Sequence, residues 1–252
     1  EIYIMNQAGM QGKIETPMNI SRISVANQGV VAVWMESDGE NYIRMYDKNG
    51  KNLVSGAFYT EKSGYPLDIS LCNDGKKLAV SMLTVNNGEV CSTIKCYNFG
   101  SVGQNEIDNN VGTYTYDDTF ISEISYVASN RMIAIEDSGY IVFEGAQKPA
   151  PKREVKFKTE VQSVFYGNKY VGIVYSSPKK EGCWNIKVYD MAGKTVMENE
   201  TTIAYDKIEF LDNNEICVRN THDCELYTIH GIRKFSYTFD KDIYKILSGS
   251  DS

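Results

Sequence analysis

ISLCNDGKKLAVSMLTV, residues 69–85, reads as a short strand, a tight turn and a second strand. Asn73-Asp74-Gly75 supplies the residue types that accept the positive φ of a tight hairpin. Leu78-Ala79-Val80 then sets a small residue between two larger apolar ones. Neighbours along a strand point to opposite faces, so the small residue takes one face alone and lets another layer approach closely.

The same pattern recurs along the chain. Val31-Ala32-Val33, Ile133-Ala134-Ile135, Val171-Gly172-Ile173 and Ile216-Cys217-Val218 all keep the small middle residue. Upstream of each lies a first strand: Ile23 to Ala26, Ile69 to Cys72, Ile124 to Val127, Ser163 to Tyr166 and Ile208 to Leu211. A third strand follows each copy: Ile43 to Asp47, Ile94 to Asn98, Ile141 to Glu144, Ile186 to Asp190 and Leu226 to His230. Fourth strands, more variable, are expected at Leu53 to Phe58, Val111 to Tyr116, Glu154 to Lys158, Thr195 to Glu198 and Lys234 to Phe239.

Four short strands repeated at intervals of roughly 36 to 55 residues match the ~40–45-residue unit of a propeller blade. The fold class is therefore all-β, a β-propeller of four-stranded antiparallel blades. The first strand of each blade should line the central channel, the next two should be buried, and the fourth should form the rim. A β-sandwich would share the alternation but needs neither a fixed period nor a strand-specific signature. Residues 1–14 match a third strand, a glycine turn and the start of a fourth, and residues 243–247 match a first strand. Residues 1–252 thus read as one propeller domain: five complete blades and a composite blade from the termini. The composite blade lacks its second strand, so the intact protein is expected to continue upstream of Glu1.

Composition narrows the function classes. The chain has 252 residues, a formal net charge of −7 and 18 tyrosines. Phosphate backbones are bound by clustered Lys and Arg, so nucleic acid is not an expected partner. No apolar run approaches the ~18 residues needed to span a bilayer, so membrane contact would come only through an upstream anchor. The six cysteines are scattered without a Cys-x-x-Cys pair, and only His222 and His230 offer imidazole. A zinc site is not expected, nor is any cofactor, since neither a Gly-x-Gly-x-x-Gly nor a phosphate-cradling loop follows a strand.

The stretch Ile69 to Ala79 resembles the Ser-x-Asp-Gly-Lys-x-Leu-Ala signature of Tol-B-like and WD-type propeller repeats. With the Val-Tyr-Asp-x-x-Gly-Lys turn at residues 188–194, the whole chain resembles an uncharacterised propeller-like family of clostridia-type Gram-positive bacteria, catalogued as a domain of unknown function. That resemblance implies an extracellular or cell-surface propeller behind an N-terminal membrane anchor, and implies no catalytic residues.

Tyr114, Tyr116, Asp117 and Asp118 are the candidate ligand contacts, because rings beside carboxylates can stack on a sugar and bond its hydroxyls. A Tyr-rich rim strand would read the same way. Asp47-Lys48-Asn49-Gly50 reads as a tight turn rather than a calcium loop. His222 falls in a turn, and His230 stands where other copies end the third strand in Asp. Cys217 and Cys224 would face each other across a hairpin if its turn centres on Asn220-Thr221, within reach of a disulfide. The basic stretch Lys148 to Lys158 reads as a rim strand protected by charge. The function expected is a non-catalytic binding or assembly platform at the bacterial cell surface with a protein or glycan partner. The alternative is a glycan hydrolase or lyase using carboxylates at the propeller mouth.

Overall fold

The computed structural model describes residues 1–6, 8–58, 64–86, 88–177 and 180–247. It comprises two compact units, Glu1–Lys156 and Phe157–Ser252. The first opens with a hairpin, β1 (Ile2–Asn6) and β2 (Gly9–Ile14). Three four-stranded sheets follow. Blade 1 is β3 (Asn19–Val25), β4 (Val31–Ser37), β5 (Glu40–Tyr46) and β6 (Asn52–Phe58). Blade 2 is β7 (Tyr65–Leu71), β8 (Lys77–Asn86), β9 (Glu89–Asn98) and β10 (Asn110–Asp117). Blade 3 is β11 (Ile121–Ala128), β12 (Arg131–Glu136), β13 (Gly139–Glu144) and β14 (Ala150–Lys156). The second unit holds two more sheets. Blade 4 is β15 (Ser163–Tyr166), β16 (Tyr170–Ser176), β17 (Trp184–Asp190) and β18 (Thr195–Thr201). Blade 5 is β19 (Lys207–Phe210), β20 (Ile216–Arg219), β21 (Asp223–Tyr227) and β22 (Arg233–Thr238). Every sheet is an antiparallel meander in chain order.

Within each unit the blades pack face to face through apolar layers. Ala32, Trp34, Ile43 and Met45 of blade 1 meet Ile69, Leu78, Val80 and Met82 of blade 2. Ala79, Ile94 and Cys96 on the far side of blade 2 meet Ile124, Met132, Ile141 and Phe143 of blade 3. In the second unit Phe165, Val174 and Val188 of blade 4 meet Ile208, Ile216 and Val218 of blade 5. The small middle residue of the repeat does turn away from its apolar neighbours, with one departure in facing. Ala32 and Ala79 face the following blade, whereas Ala134 faces the preceding one. A bulge between Tyr126 and Ala128 sets Ala134 opposite Ile124 instead of Ser125. A one-residue slip exchanges the two faces of a strand. At Gly172 the reason for smallness is local: a Cβ there would lie 2.1 Å from the ring of Phe165, its cross-strand partner.

First strands sit side by side within the first unit, and side chains of one cap the backbone of the next. Leu71 N–H donates to Ser24 Oγ at 2.8 Å. Tyr126 N–H donates to Ser70 Oγ at 2.8 Å, and Ile124 N–H to Asp68 Oδ2 at 2.9 Å. Asp68 is buried, and desolvation raises its carboxyl above the ordinary Asp range against the opposing pull of the Ile124 N–H and of Arg22, 3.6 Å away.

Two details depart from the sequence pattern. The third strand of blade 5 ends at Tyr227, and Thr228 rather than His230 stands at the turn position. Thr228 Oγ1 accepts from the N–H groups of His230 and Ile232, as Asp47 Oδ1 accepts from Asn49 and Lys51, and Asp190 Oδ1 from Ala192 and Lys194. The Asp47 carboxylate is thereby spent on its own turn. Residues 243–247, expected as a first strand, form none. Ile243 N–H donates to Thr221 O at 2.7 Å, and the Arg219 guanidinium donates to the carbonyls of Ile243 and Tyr244, groups a strand would spend on a ladder.

Two outcomes follow for stability. Gly172→Ala should destabilise by about 1–3 kcal/mol through overpacking against Phe165, and Phe165→Leu should recover part of that loss in urea denaturation. For Asp68 the raised folded-state pKa means that folding favours the protonated form. Its contribution is full below the ordinary Asp range and is lost as pH rises through the raised value. Asp68→Asn keeps an acceptor for the Ile124 N–H without the buried charge. It should match or exceed wild-type stability at neutral pH, with the acid-side rise flattened. Asp68→Ala should lose about 1–3 kcal/mol by orphaning that donor.

Candidate functional site

A cleft of about 760 Å³ opens between blades 1 and 2. Its floor is a stripe along β9 and just past its end. Lys95 and Tyr97 alternate on the strand and so share one side of it, and Phe99 follows immediately beyond Asn98. The Tyr97 and Phe99 rings are parallel to within 3°, with centroids 6.4 Å apart. Burial first, and the Asp108 charge second, push the Tyr97 hydroxyl above its ordinary range. Val54, Ser55 and Gly56 of β6 form the facing wall.

The remaining wall is the link between β9 and β10, and its sequence dictates its path. Gly103 passes so close to Asn98 that a Cβ would lie 1.6 Å from the Asn98 carbonyl oxygen. Asn98 Oδ1 accepts from the Gly100 N–H, while its Nδ2 donates to the backbone and side-chain oxygens of Gln147. Glu106 is tied to Lys148 by an ion pair. Two short 3-10 turns, Gly103–Asn105 and Ile107–Asn109, carry the chain along the lip. Asp108 and Asn109 there have φ of 54° and 59°, consecutive left-handed residues that only Asp, Asn and Gly adopt readily. Ile107 between them and Glu106 is 87% exposed. The cleft therefore joins an aromatic floor to a polar lip held by tethers, the combination small-ligand sites use.

Of the residues singled out in sequence, Tyr114 and Tyr116 pack toward blade 3. Tyr114 donates its hydroxyl to Pro149 O at 2.8 Å and meets the Phe143 ring edge-on at 5.5 Å, and Tyr116 lies against the same apolar layer. Asp117 and Asp118 are exposed at the end of β10, where Asp118 turns the chain with φ 47°. Asp117 Oδ1 lies 3.5 Å from the Cys91 sulfur. The two rings and the two carboxylates thus stand on different surfaces. The 99–109 link was not singled out. Its signal was length: β9 and β10 are separated by residues 99–109, β5 and β6 only by residues 47–51.

Cys217 and Cys224 are both buried, with free thiols 3.9 Å apart. The hairpin closes with Arg219 opposite Cys224 and Cys217 opposite Leu226, so the sulfurs meet diagonally and not directly across the ladder. Either sulfur can donate to the other; that hydrogen bond and burial push the Cys217 thiol up, while the same bond, with help from Arg219, lowers Cys224. His222 Nε2 lies 3.3 Å from an Asp242 carboxylate oxygen at the surface. The basic stretch forms β14, where Pro151 is accepted because the register shifts beside it on a rim strand. Among the described residues no group of three or more His, Cys, Asp or Glu is placed to hold a metal, and no helix is long and apolar enough to cross a membrane.

Antiparallel four-stranded meanders packed face to face, with first strands adjacent, define a protein of the β-propeller, WD40-like class. Solved structures agree at the level of fold. The chain is similar to the WD40 domain of SCAP from fission yeast (TM-score 0.61, 11% identity, 90% of this chain and 57% of that one). It is also similar to the β-propeller domain of the Trilobed protease from Pyrococcus furiosus (TM-score 0.56, 12% identity, 88% and 71%). A eukaryotic initiation factor matches with TM-score 0.58 and 12% identity over 93% of this chain, which spans only 58% of that protein. No curated protein matches in sequence. The chain itself belongs to DUF5711, a family of unknown function whose sequence model matches residues 1–252.

Alkylation in denaturant without reductant should label all six cysteines. Recovery of only four, with a Cys217–Cys224 cross-linked peptide in the mass spectrum, would contradict the free-thiol state.

Proposed function

We propose that this chain is a non-catalytic binding or assembly platform at the bacterial cell surface, and that the cleft between blades 1 and 2 is its contact site. The observation that carries the reading is the parallel Tyr97–Phe99 floor beneath a polar lip. Parallel rings on a rigid sheet offer a large apolar contact with little ordering cost. The lip carries left-handed Asp108 and Asn109, a backbone state that concentrates at ligand clamps. Rigid blades presenting a variable insert are how such folds engage partners. The surface location and the clostridia-type source rest on the family resemblance of the repeat signature. The β1–β2 hairpin is read as the outer half of a composite blade.

The test is binding of the chain to solubilised bacterial wall glycans and surface-protein fractions, measured by interferometry with wild type and with Phe99→Ser and Lys95→Glu. Both variants should lose at least about tenfold in affinity, close to 1.4 kcal/mol, while remaining folded by circular dichroism. Equal binding by all three would remove the cleft from the reading.

A second reading has one observation in its favour. Glu1, Glu36 and Asp38 line a cleft of about 580 Å³ beside the β4–β5 turn. These acids already have partners, Glu36 accepting from the Tyr65 hydroxyl at 2.5 Å and Glu1 pairing with Lys13 at 2.8 Å. If the chain is a glycan hydrolase, incubation with wall glycan should release reducing ends, and Glu36→Gln should abolish the release. Equal release by wild type and variant would discard those carboxylates.

A further inference from the structure

The outer strand of blade 5 has the form of a self-complementary edge. β22 pairs only with β21 among the described residues, and each of its residues from Arg233 to Thr238 is exposed. Phe235, Tyr237 and Phe239 are 40%, 55% and 37% exposed. Their rings form one ridge, with Phe235–Tyr237 centroids 6.1 Å and Tyr237–Phe239 centroids 4.9 Å apart. The opposite side of the strand is already engaged. Ser236 and Thr238 donate to Glu225 and Asp223, and Arg233 pairs with Glu225 at 3.0 Å. Rim strands β14 and β18 interrupt their edges with Pro151, Lys152 and Arg153, and with Glu198 and Glu200. Residues 235–239 of β22 and its continuation contain no charge and no proline.

The sequence here reads nearly the same in both directions. Lys234-Phe235-Ser236-Tyr237-Thr238-Phe239-Asp240 runs base, Phe, hydroxyl, Tyr, hydroxyl, Phe, acid. We propose that β22 pairs antiparallel with β22 of a second copy of this chain about a two-fold axis through Tyr237. In that register Phe235 stands opposite Phe239 of the second copy, Ser236 opposite Thr238, and Lys234 opposite Asp240.

Backbone geometry permits this register. Phe239 N–H donates to His222 O at 2.8 Å, toward β21. Alternation then turns the amides of Tyr237 and Phe235 inward as well, and leaves those of Ser236 and Thr238 pointing out of the free edge. Outward residues must pair with outward residues, so shifts by one are forbidden. In the two-fold register Ser236 and Thr238 exchange the new hydrogen bonds. The aromatic residues occupy the non-hydrogen-bonded sites, where side chains approach most closely and cross-strand ring pairs contribute most. The charge at each end then stands opposite its complement, Lys234 in addition to the Glu215 carboxylate it already meets within its own chain.

Sedimentation equilibrium of the full chain over a concentration series, combined with cross-linking, tests this. The wild type should show a monomer–dimer equilibrium, and Tyr237→Lys, which places two like charges on the axis, should be monomeric with an unchanged unfolding midpoint. Under mild oxidation Tyr237→Cys should cross-link to itself. Phe235→Cys alone should not, but should cross-link when mixed with Phe239→Cys. This pattern is specific to the register and holds even if Tyr237→Lys perturbs folding. A chain that stays monomeric at every concentration would overturn the proposal. So would a dimer that survives Tyr237→Lys, cross-links in any other register, or capture of a different protein by β22 while the chain remains monomeric. Ligand binding at the blade 1–2 cleft should be the same in Tyr237→Lys and wild type.

Discussion

Within the first unit, the hydrogen bond from one blade's first strand to the next is the constraint on which the arrangement depends. A first strand ends its own sheet, so half of its N–H groups have no ladder partner. Buried, each unmet donor would cost about 1–3 kcal/mol. Ser24, Asp68 and Ser70 supply oxygen to Leu71, Ile124 and Tyr126, and so turn an edge into a joint. This sets the spacing between blades before apolar packing is considered. It also explains a buried carboxylate whose proton affinity is raised. Asp68 is kept as an acceptor although burial disfavours its charged form.

Once first strands are fixed side by side, the blades must splay outward, and the apolar layers fill the widening gap. Trp34 and Met82 do so between blades 1 and 2, and Phe143 and Tyr126 between blades 2 and 3. Toward the rim the packing is left to the fourth strands and to whatever the links add. Between blades 1 and 2 the 99–109 link stands off the sheet and leaves a cleft with Tyr97 and Phe99 as its floor. A cleft therefore arises where one repeat carries more chain than the others, on a scaffold whose stiffness comes from elsewhere. The rim of blade 5 is the complementary case, where an exposed edge keeps its aromatic side uncovered.

Much of this was legible in the chain. The five small-residue hairpins, the four-strand period and the Asp turns at Asp47 and Asp190 translate directly into β-strands, because alternation and turn chemistry are local. The DUF5711 match agrees with the resemblance of the whole chain to a propeller-like family of unknown function. What was illegible depended on register. Ala134 carries the repeat pattern yet faces the other blade, since one bulge in β11 reverses it. Cys217 and Cys224 have hairpin spacing, but pairing Arg219 with Cys224 sets their sulfurs on a diagonal. Ile243 to Leu247 have strand composition, but Arg219 and Thr221 take their backbone groups.

Local pattern in the chain sets the class of architecture and the turns that separate its strands. Those features follow from a side-chain period of two and from residues that accept positive φ, both properties of a few neighbouring positions. Tertiary structure alone decided which face each strand buries, which oxygen meets the orphaned amides of the next blade, and where a link stands far enough from a sheet to leave a cleft. These depend on contacts between residues some fifty positions apart, as between Ser70 and Tyr126, and local pattern carries no record of them.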